Sequence, residues 1–168
     1  MPHPEPHDSS LQVLRRLCEA DRPDVERHLL SLDYADRNAR FHSGFGDSAV
    51  SRYVSGLDFA SSILVGAEKS PDRRLIGLGE AHRAGTDGSV ELAVSVLPDY
   101  RRQQLAMRLL TFTVELAFEK GADRAELLFD PCSPAIAHIV AALGAEAGTR
   151  FGHAVVKETN WRTEAMHA

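Results

Sequence analysis

The chain has 168 residues, of which 43% are hydrophobic, and this is enough for the core of one domain. The formal net charge of −5 supplies no basic field for nucleic acid or anionic lipid, so neither is expected as a partner. No apolar stretch approaches the roughly 20 residues that span a bilayer, and the start of the chain lacks the basic and apolar regions of a signal peptide. The two cysteines, Cys18 and Cys132, cannot build a disulfide framework. These features predict a soluble cytoplasmic protein.

Apolar periodicity and turn signals divide the chain into strands and helices. Residues 1–10, rich in proline and histidine, predict a disordered tail; residues 11–157 form the predicted domain; residues 158–168 predict a frayed end. The predicted strands are Leu11–Leu17 (where a helix is the alternative), Ser62–Glu68, Leu75–Arg83, Gly88–Val96, Arg124–Phe129 and Phe151–Lys157. The predicted helices begin near Asp21, Asp33 and Asp47 and later cover Leu105–Lys120 and Ala135–Leu143. This order predicts an α/β fold with a central mixed sheet and helices on both of its faces.

The most informative stretch is a strand, a turn and a helix near the middle of the chain. The apolar run that ends at Val96 breaks at Pro98 and resumes with helical periodicity from Leu105. Arg101 and Arg102 lie in the turn, beside helical N–H groups that have no intrahelical partner and carry the positive end of the helix dipole. Such a junction suits a phosphate group. The alternative is an ordinary turn with two solvated arginines.

This junction resembles the R-x-x-G-x-[GA] motif of the GNAT acetyltransferase superfamily, which cradles the pyrophosphate of acetyl-coenzyme A. The matching residues are Arg101, Arg102, Gln103, Gln104, Leu105 and Ala106, followed by Met107, and the resemblance implies that they bind the coenzyme. Gln104 stands where the family usually has glycine, whose missing Cβ lets the backbone approach a ligand closely. The resemblance also implies a splayed strand pair in which the backbone near Leu92, Val94 and Val96 bonds the pantetheine arm.

A segment in the first third of the chain bears on the same resemblance. An L-x-x-x-D-R-x-x-R-F pattern, typical of a GNAT branch that includes bacterial protein lysine acetyltransferase domains, is matched by Leu32, Asp36, Arg37, Arg40 and Phe41. Its alternative is an amphipathic helix with solvated charges. The oligomeric state stays open, with a homodimer as one option because paired subunits are common in the family.

The last helix of many family members carries a tyrosine that serves as the general acid, in a pattern like N-x-x-A-x-x-L-Y-x-x-L-G-F. Aligned on Leu143 and Gly144, this pattern places Ser133 at the asparagine and Val140 at the tyrosine. The resemblance therefore assigns Ser133 to the coenzyme site. It leaves no tyrosine at the family position.

A general base is predicted from the hairpin that precedes the central strand. If the turn is centred between Thr86 and Asp87, His82 lies opposite Glu91, and Glu80 shares their face of the sheet. A carboxylate beside an imidazole can take an amine proton directly or through water. Glu91, or failing that Glu80, is therefore the predicted base, with His82 tuning it. The alternative is a partly solvated ion pair without a catalytic role.

Other reactive side chains receive no role. Cys132 has no neighbouring base of the kind that a nucleophilic thiol requires, and it is interpreted as a thiol without function. The histidines show no spacing typical of metal ligands, so no metal is predicted.

The sequence thus predicts an acyl-coenzyme A dependent N-acyltransferase that takes acetyl-coenzyme A as its donor. The acceptor is an amine, either a protein lysine or a small molecule. Gln104, Ser133 and Val140 favour an alternative: a degenerate, non-catalytic GNAT module that binds acyl-coenzyme A, another ligand or a protein partner.

Overall fold

The computed structural model describes residues 12–130, 133–148 and 152–165. The strands are β1 (Gln12–Arg16), β2 (Ile63–Lys69), β3 (Arg74–Arg83), β4 (Ser89–Val96), β5 (Arg124–Leu128), β6 (Glu146–Ala147) and β7 (His153–Lys157). The helices are α1 (Arg22–Leu30), α2 (Tyr34–Phe41), α3 (Asp47–Ser55), α4 (Leu105–Glu119), α5 (Pro134–Ala142) and α6 (Glu158–Ala165). The strands form one mixed sheet in the order β1-β2-β3-β4-β5-β7-β6, in which β4 and β5 are parallel. The predicted α/β fold class is confirmed.

The C-terminal end of the domain differs from the sequence-based expectation. Residues from Glu158 were predicted to fray, but Glu158–Ala165 form α6. The reason is a tertiary contact, since Trp161 packs edge-on against Phe118 of α4 with ring centroids 6.3 Å apart. The short strand β6 was not predicted either, because two residues carry no periodicity. The predicted tail at residues 1–10 and Cys132 lie outside the described residues.

Hydrophobic clusters lie on the two faces of the sheet. On one face α4 buries Leu105, Leu109 and Val114 against the strands. Two glycines of β3 allow this close approach, because a Cβ on Gly79 would lie 2.5 Å from Oγ1 of Thr113. The other glycine is Gly77, where an added Cβ would lie 2.7 Å from a methyl carbon of Leu109. The glycines therefore set the distance between α4 and the sheet.

The second face carries α1 and α3, whose buried side chains are Val25, Leu29, Val50 and Val54. The polar side chains predicted to act in catalysis lie on this same face. We call it the acceptor face.

The register of the β3–β4 hairpin matches the prediction. His82 lies opposite Glu91 and Glu80 lies opposite Ala93. Side chains of directly opposed residues point to the same face of a sheet, so these residues share the acceptor face.

The parallel strands β4 and β5 pair over half of β4 and then part. Their pairing begins at Ser89 with Arg124 and ends at Leu92 with Leu127, whereas β4 continues to Val96. Beyond Leu92 the edge of β4 that faces β5 borders a gap. The splayed strand pair is therefore present, and it places exposed backbone at the centre of the sheet.

Candidate active site

The backbone groups that face the gap follow from the hairpin ladder. Hydrogen bonds from Ala84 N to Ser89 O (3.1 Å) and from Leu97 N to Ile76 O (2.9 Å) mark both ends of that ladder. Because bonded pairs alternate along antiparallel strands, odd-numbered residues of β4 bond to β3. The even-numbered residues Leu92, Val94 and Val96 direct their N–H and C=O groups toward β5 and the gap.

The three gap-facing residues differ in what their backbone offers. Leu92 belongs to the last pair with β5, and the carbonyl of Val96 accepts a hydrogen bond from Nε of Arg101 at 3.1 Å. Val94 lies beyond the last paired residue, so both of its backbone groups border the gap. An extended ligand with amide groups could pair with this edge as an additional strand would.

The turn between β4 and α4 has a left-handed backbone at two positions that are not glycine. The φ angles are 60° at Arg102 and 57° at Gln104. Gln104 is the N-cap of α4 and stands where the family pattern has glycine. Left-handed backbone explains that preference, because a side chain there costs about 1–2 kcal/mol and glycine pays no such cost. The chain keeps the shape of the turn without its usual residue.

The start of α4 fits a phosphate group. No side chain caps the helix, and no acidic residue lies in its first turn. The N–H groups of Leu105, Ala106 and Met107 therefore have no intrahelical acceptor, and the helix dipole makes this end positive. Backbone donors and a positive dipole end are the features that bind a diphosphate.

The side chains of the turn fall into two groups. Arg101 donates from Nη2 to Oδ2 of Asp36 at 2.6 Å, and Gln103 accepts from Nε2 of Gln12 at 2.8 Å. Arg102 is exposed and makes no hydrogen bond or ion pair with any described residue. Arg102 is therefore the cation of this turn that has no acidic partner in the described structure.

A buried polar network occupies the acceptor face next to β4. Glu80 is fully buried and accepts hydrogen bonds from the guanidinium of Arg40, with Nε at 3.0 Å, and from the hydroxyl of Tyr53 at 2.6 Å. Burial alone opposes ionisation of Glu80, but Arg40, His82 and Tyr53 outweigh it and hold its pKa at about 2. Glu80 is therefore an ionised anchor, and a carboxylate with this pKa is a weak base.

The same bonds determine which ring nitrogen of His82 donates to Glu80. Tyr53 donates to Glu80 and accepts from Nη2 of Arg40 at 3.0 Å, so its hydroxyl has no proton left for His82. Nε2 of His82, 3.1 Å from both Tyr53 and Glu80, must be the protonated nitrogen. Nδ1 lies 3.0 Å from Oγ of Ser62. Both ring nitrogens are bonded within the protein.

Glu91 is exposed and lies at the start of the gap, one residue before the last β4–β5 pair. It makes no hydrogen bond or ion pair with the residues that the structure describes. Its neighbour across the parallel pair, Glu126, instead contacts Nε of Arg124 at 3.0 Å and Nε2 of His153 at 3.2 Å. Of the three carboxylates in this row, Glu80, Glu91 and Glu126, Glu91 is the one that makes no hydrogen bond or ion pair with a described residue.

The predicted catalytic residues thus lie near one another on the acceptor face. His82 was predicted to tune Glu91 or, failing that, Glu80, and the residue it contacts is Glu80. Sequence analysis missed the partners of Glu80, although Arg40 belonged to the R-x-x-R-F pattern. That arginine was the available signal, since a buried carboxylate requires a cation.

The start of α5 adds little polar chemistry. Ser133 is the N-cap of α5, and its side chain makes no capping hydrogen bond. Val140 is partly buried against the core on the α4 side of the sheet, and its aliphatic side chain has no proton to supply. No group of three or more potential metal-ligating side chains is present among the described residues. Within the same residues, no helix combines the length and apolarity needed to cross a membrane.

A mixed sheet whose parallel strands part beside an uncapped helix start is the architecture of GNAT-type acyltransferases. A family model described as the acetyltransferase (GNAT) family matches residues 22–144. The chain therefore belongs to the GNAT acetyltransferase family. No curated protein matches it in sequence.

Solved structures of GNAT proteins share the fold at low identity. Spermidine N-acetyltransferase from Vibrio cholerae, in complex with CoA and spermine, has a TM-score of 0.72 and 14% identity, covering 90% of this chain and 98% of that one. The GNAT domain of S. lividans PAT has a TM-score of 0.68 and 16% identity, with 90% and 97% covered. Ribosomal-protein-S5-alanine acetyltransferase from Vibrio fischeri has a TM-score of 0.67 and 12% identity, with 90% and 98% covered.

Proposed function

We propose that this protein is an acyl-coenzyme A dependent N-acyltransferase that transfers an acetyl group to an amine. The observation that carries the proposal is the position of Glu91, a carboxylate without a partner among the described residues that lies one residue before the last β4–β5 pair. A carboxylate at this position would serve as the base for an amine that attacks a thioester held in the gap. Family membership supports the class of reaction.

The donor site would be built from backbone. The N–H groups of Leu105, Ala106 and Met107 would bind the diphosphate, and Arg102 would add a charge-assisted hydrogen bond. The free edge of β4 at Val94 would pair with the pantetheine amides. When bound, the coenzyme supplies a thioester, the acyl group and a thiolate leaving group.

On the acceptor side, Glu91 would take the proton of the attacking amine directly or through one water. Glu80 and His82 would have a structural role beside Glu91, because they are bonded to each other. Their other polar contacts are with Arg40, Tyr53 and Ser62. A carboxylate at Glu91 also attracts an amine that arrives protonated. The nitrogen then forms the new bond to carbon as the bond to sulfur breaks.

The leaving thiolate would take its proton from solvent, because α5 carries Val140 where many family members carry tyrosine. General acid catalysis typically contributes about 10²–10⁴-fold, so its loss slows such a reaction without abolishing it.

The acceptor is proposed to be an amine, and which amine stays open. Among the similar structures, one is named for spermidine and another for a ribosomal protein, and identities below 25% do not choose between them.

A second candidate is a non-catalytic module that binds acyl-coenzyme A. It is favoured by Val140 and by glutamine at the glycine position of the turn. Calorimetric titration of acetyl-coenzyme A, followed by assays against polyamines, lysine peptides and N-terminal peptides, separates the candidates. Turnover that is lost in Glu91→Gln supports the enzyme. Tight binding without turnover across the whole panel supports the module, and absence of binding contradicts both.

A further inference from the structure

Helix α2 is held in place by side-chain contacts and not by a buried apolar face of its own. It has eight residues and no fully buried side chain. A helix of this length is marginal in water by itself, so its placement depends on contacts with the rest of the protein. Arg37 donates to the backbone carbonyls of Leu30 and Leu32, and Phe41 stacks on Phe45 with ring centroids 4.3 Å apart. These contacts join α2 to segments next to it in the chain.

Two further side chains of α2 reach distant parts of the molecule. Arg40 bonds Glu80 in β3, which places α2 over the acceptor face. Asp36 points toward the turn before α4, where its Oδ2 lies 2.6 Å from Nη2 of Arg101. Arg101 also donates from its Nε to the carbonyl of Val96, at the end of β4. Asp36 and Arg101 therefore connect α2, which lies over the acceptor face, with the turn that is proposed to bind the coenzyme.

We propose that the Asp36–Arg101 ion pair couples the two substrate sites, so that coenzyme bound at the turn fixes α2 over the acceptor face. This inference rests on the proposed function, because it requires a coenzyme at the turn. Asp36 is then a positioning residue for the acceptor, and Arg101 acts through Asp36 and not as a phosphate ligand.

The backbone of the turn explains why a ligand would change its order. Left-handed residues that are not glycine persist only when their surroundings hold them, and the turn contains two of them, Arg102 and Gln104. A diphosphate would supply acceptors to the N–H groups at the start of α4 and so hold this backbone in place. Because Arg101 lies within the same turn, its guanidinium would be held as well. Asp36 would transmit the effect to α2.

The experiment uses the full chain and hydrogen exchange of the segment that contains α2. In the wild type, saturating coenzyme A should slow exchange in α2 by at least about 5-fold, the lower end of ordinary allosteric coupling. Asp36→Asn should abolish this slowing. Arg101→Gln breaks the same pair from the other side and should do the same. Asp24→Asn, which breaks the ion pair with Arg27 on α1, is the matched control and should retain the slowing.

A kinetic readout accompanies the exchange. At saturating acetyl-coenzyme A, Asp36→Asn should raise the KM for the amine about 5-fold or more while kcat changes little, because the base and the donor site are intact. A purely structural role for Asp36 would speed exchange in α2 equally with and without coenzyme. The slowing caused by coenzyme would then remain.

The outcomes separate this inference from the proposed function. If calorimetry shows coenzyme binding but α2 exchange does not slow in the wild type, the coupling is wrong and the acyltransferase proposal stands. Full slowing in both Asp36→Asn and Arg101→Gln also overturns the coupling. If no coenzyme binds, the proposed function and the coupling fall together.

Discussion

Arg40 of α2 and Glu80 of β3 form an ion pair across 40 positions of sequence, with Nε 3.0 Å from Oε1 and with side chains that are 9% and 0% exposed. Removing one partner of such a pair leaves the other charge buried, which typically costs 3–5 kcal/mol. We expect Arg40→Leu to lower the free energy of unfolding by about this amount in urea denaturation.

The control is Arg27→Leu, which removes an arginine from an exposed ion pair and should change stability by less than about 1 kcal/mol. The double variant Arg40→Leu with Glu80→Leu should be more stable than Arg40→Leu alone, because no unpaired charge remains. Equal stability of the Arg40 and Arg27 variants would contradict this account.

Gln104→Gly should stabilise the protein by about 1 kcal/mol, because it relieves the cost of a side chain in left-handed backbone. It should also tighten the binding of coenzyme A, since a ligand can approach a glycine backbone more closely. Thermal unfolding and calorimetric titration measure the two effects. The control is Gln103→Gly. Position 103 precedes Gln104 and is not left-handed, so this substitution should give no gain in stability.

Arg102→Gln should weaken coenzyme A binding by roughly 10-fold and reduce its dependence on salt, because a charge-assisted hydrogen bond is typically worth about 1.5–3 kcal/mol. Arg101→Gln should have a smaller direct effect, since its guanidinium is bonded to Asp36. Calorimetry at two salt concentrations tests this. If replacing both arginines by alanine leaves the affinity unchanged, the turn does not bind the diphosphate.

Glu91→Gln should lower turnover by about 10²–10⁴-fold at saturating acetyl-coenzyme A and leave coenzyme affinity nearly intact. The substitution keeps the shape of the side chain while removing the base. Glu126→Gln is the comparison variant, because that carboxylate already contacts Arg124 and His153. Wild-type rates in both Glu91→Gln and Glu80→Gln between pH 6 and 9 would refute the assignment of the base.

Acidification should destabilise the protein through His28. This ring is buried, with Nδ1 3.2 Å from the carbonyl oxygen of Leu75 and Nε2 2.8 Å from Oγ of Ser95, and burial lowers the pKa of His28 to about 4. The unfolded chain has a histidine pKa near 6.5, so it binds the proton more readily. Stability is therefore complete above about pH 6.5 and falls as the pH drops through this window to about 4.

The expected loss over that window is about 3 kcal/mol, from roughly 1.4 kcal/mol for each unit of pKa difference. Glu80 contributes at lower pH, because its pKa falls from an ordinary carboxyl value to about 2 on folding. Urea denaturation at pH 7.0, 5.5 and 4.5 should show the loss in the wild type. His28→Gln, which cannot take the proton, should show a smaller dependence between pH 7.0 and 5.5, and equal slopes would exclude His28 as the cause.

Local patterns determined most of the fold. Apolar periodicity placed the strands and helices to within a few residues, and the hairpin centre fixed the alignment of His82 with Glu91. Such features depend on neighbours in sequence or on the two-residue repeat of a strand, so they can be predicted without coordinates. The strand, turn and helix around Arg101 were predicted from local patterns of the same kind.

Tertiary structure decided which long side chains meet. Arg40 contacts Glu80, and Arg101 contacts Asp36, which lies 65 positions away in the sequence. Helix α6 formed where Trp161 reaches Phe118. Arginine, glutamate and tryptophan side chains have several rotatable bonds or large faces, so their partners depend on how separate elements pack and not on local periodicity. The sequence by itself therefore determined the sheet, the turn and the face that carries the polar residues, while packing alone decided which of those polar residues have partners in the described structure.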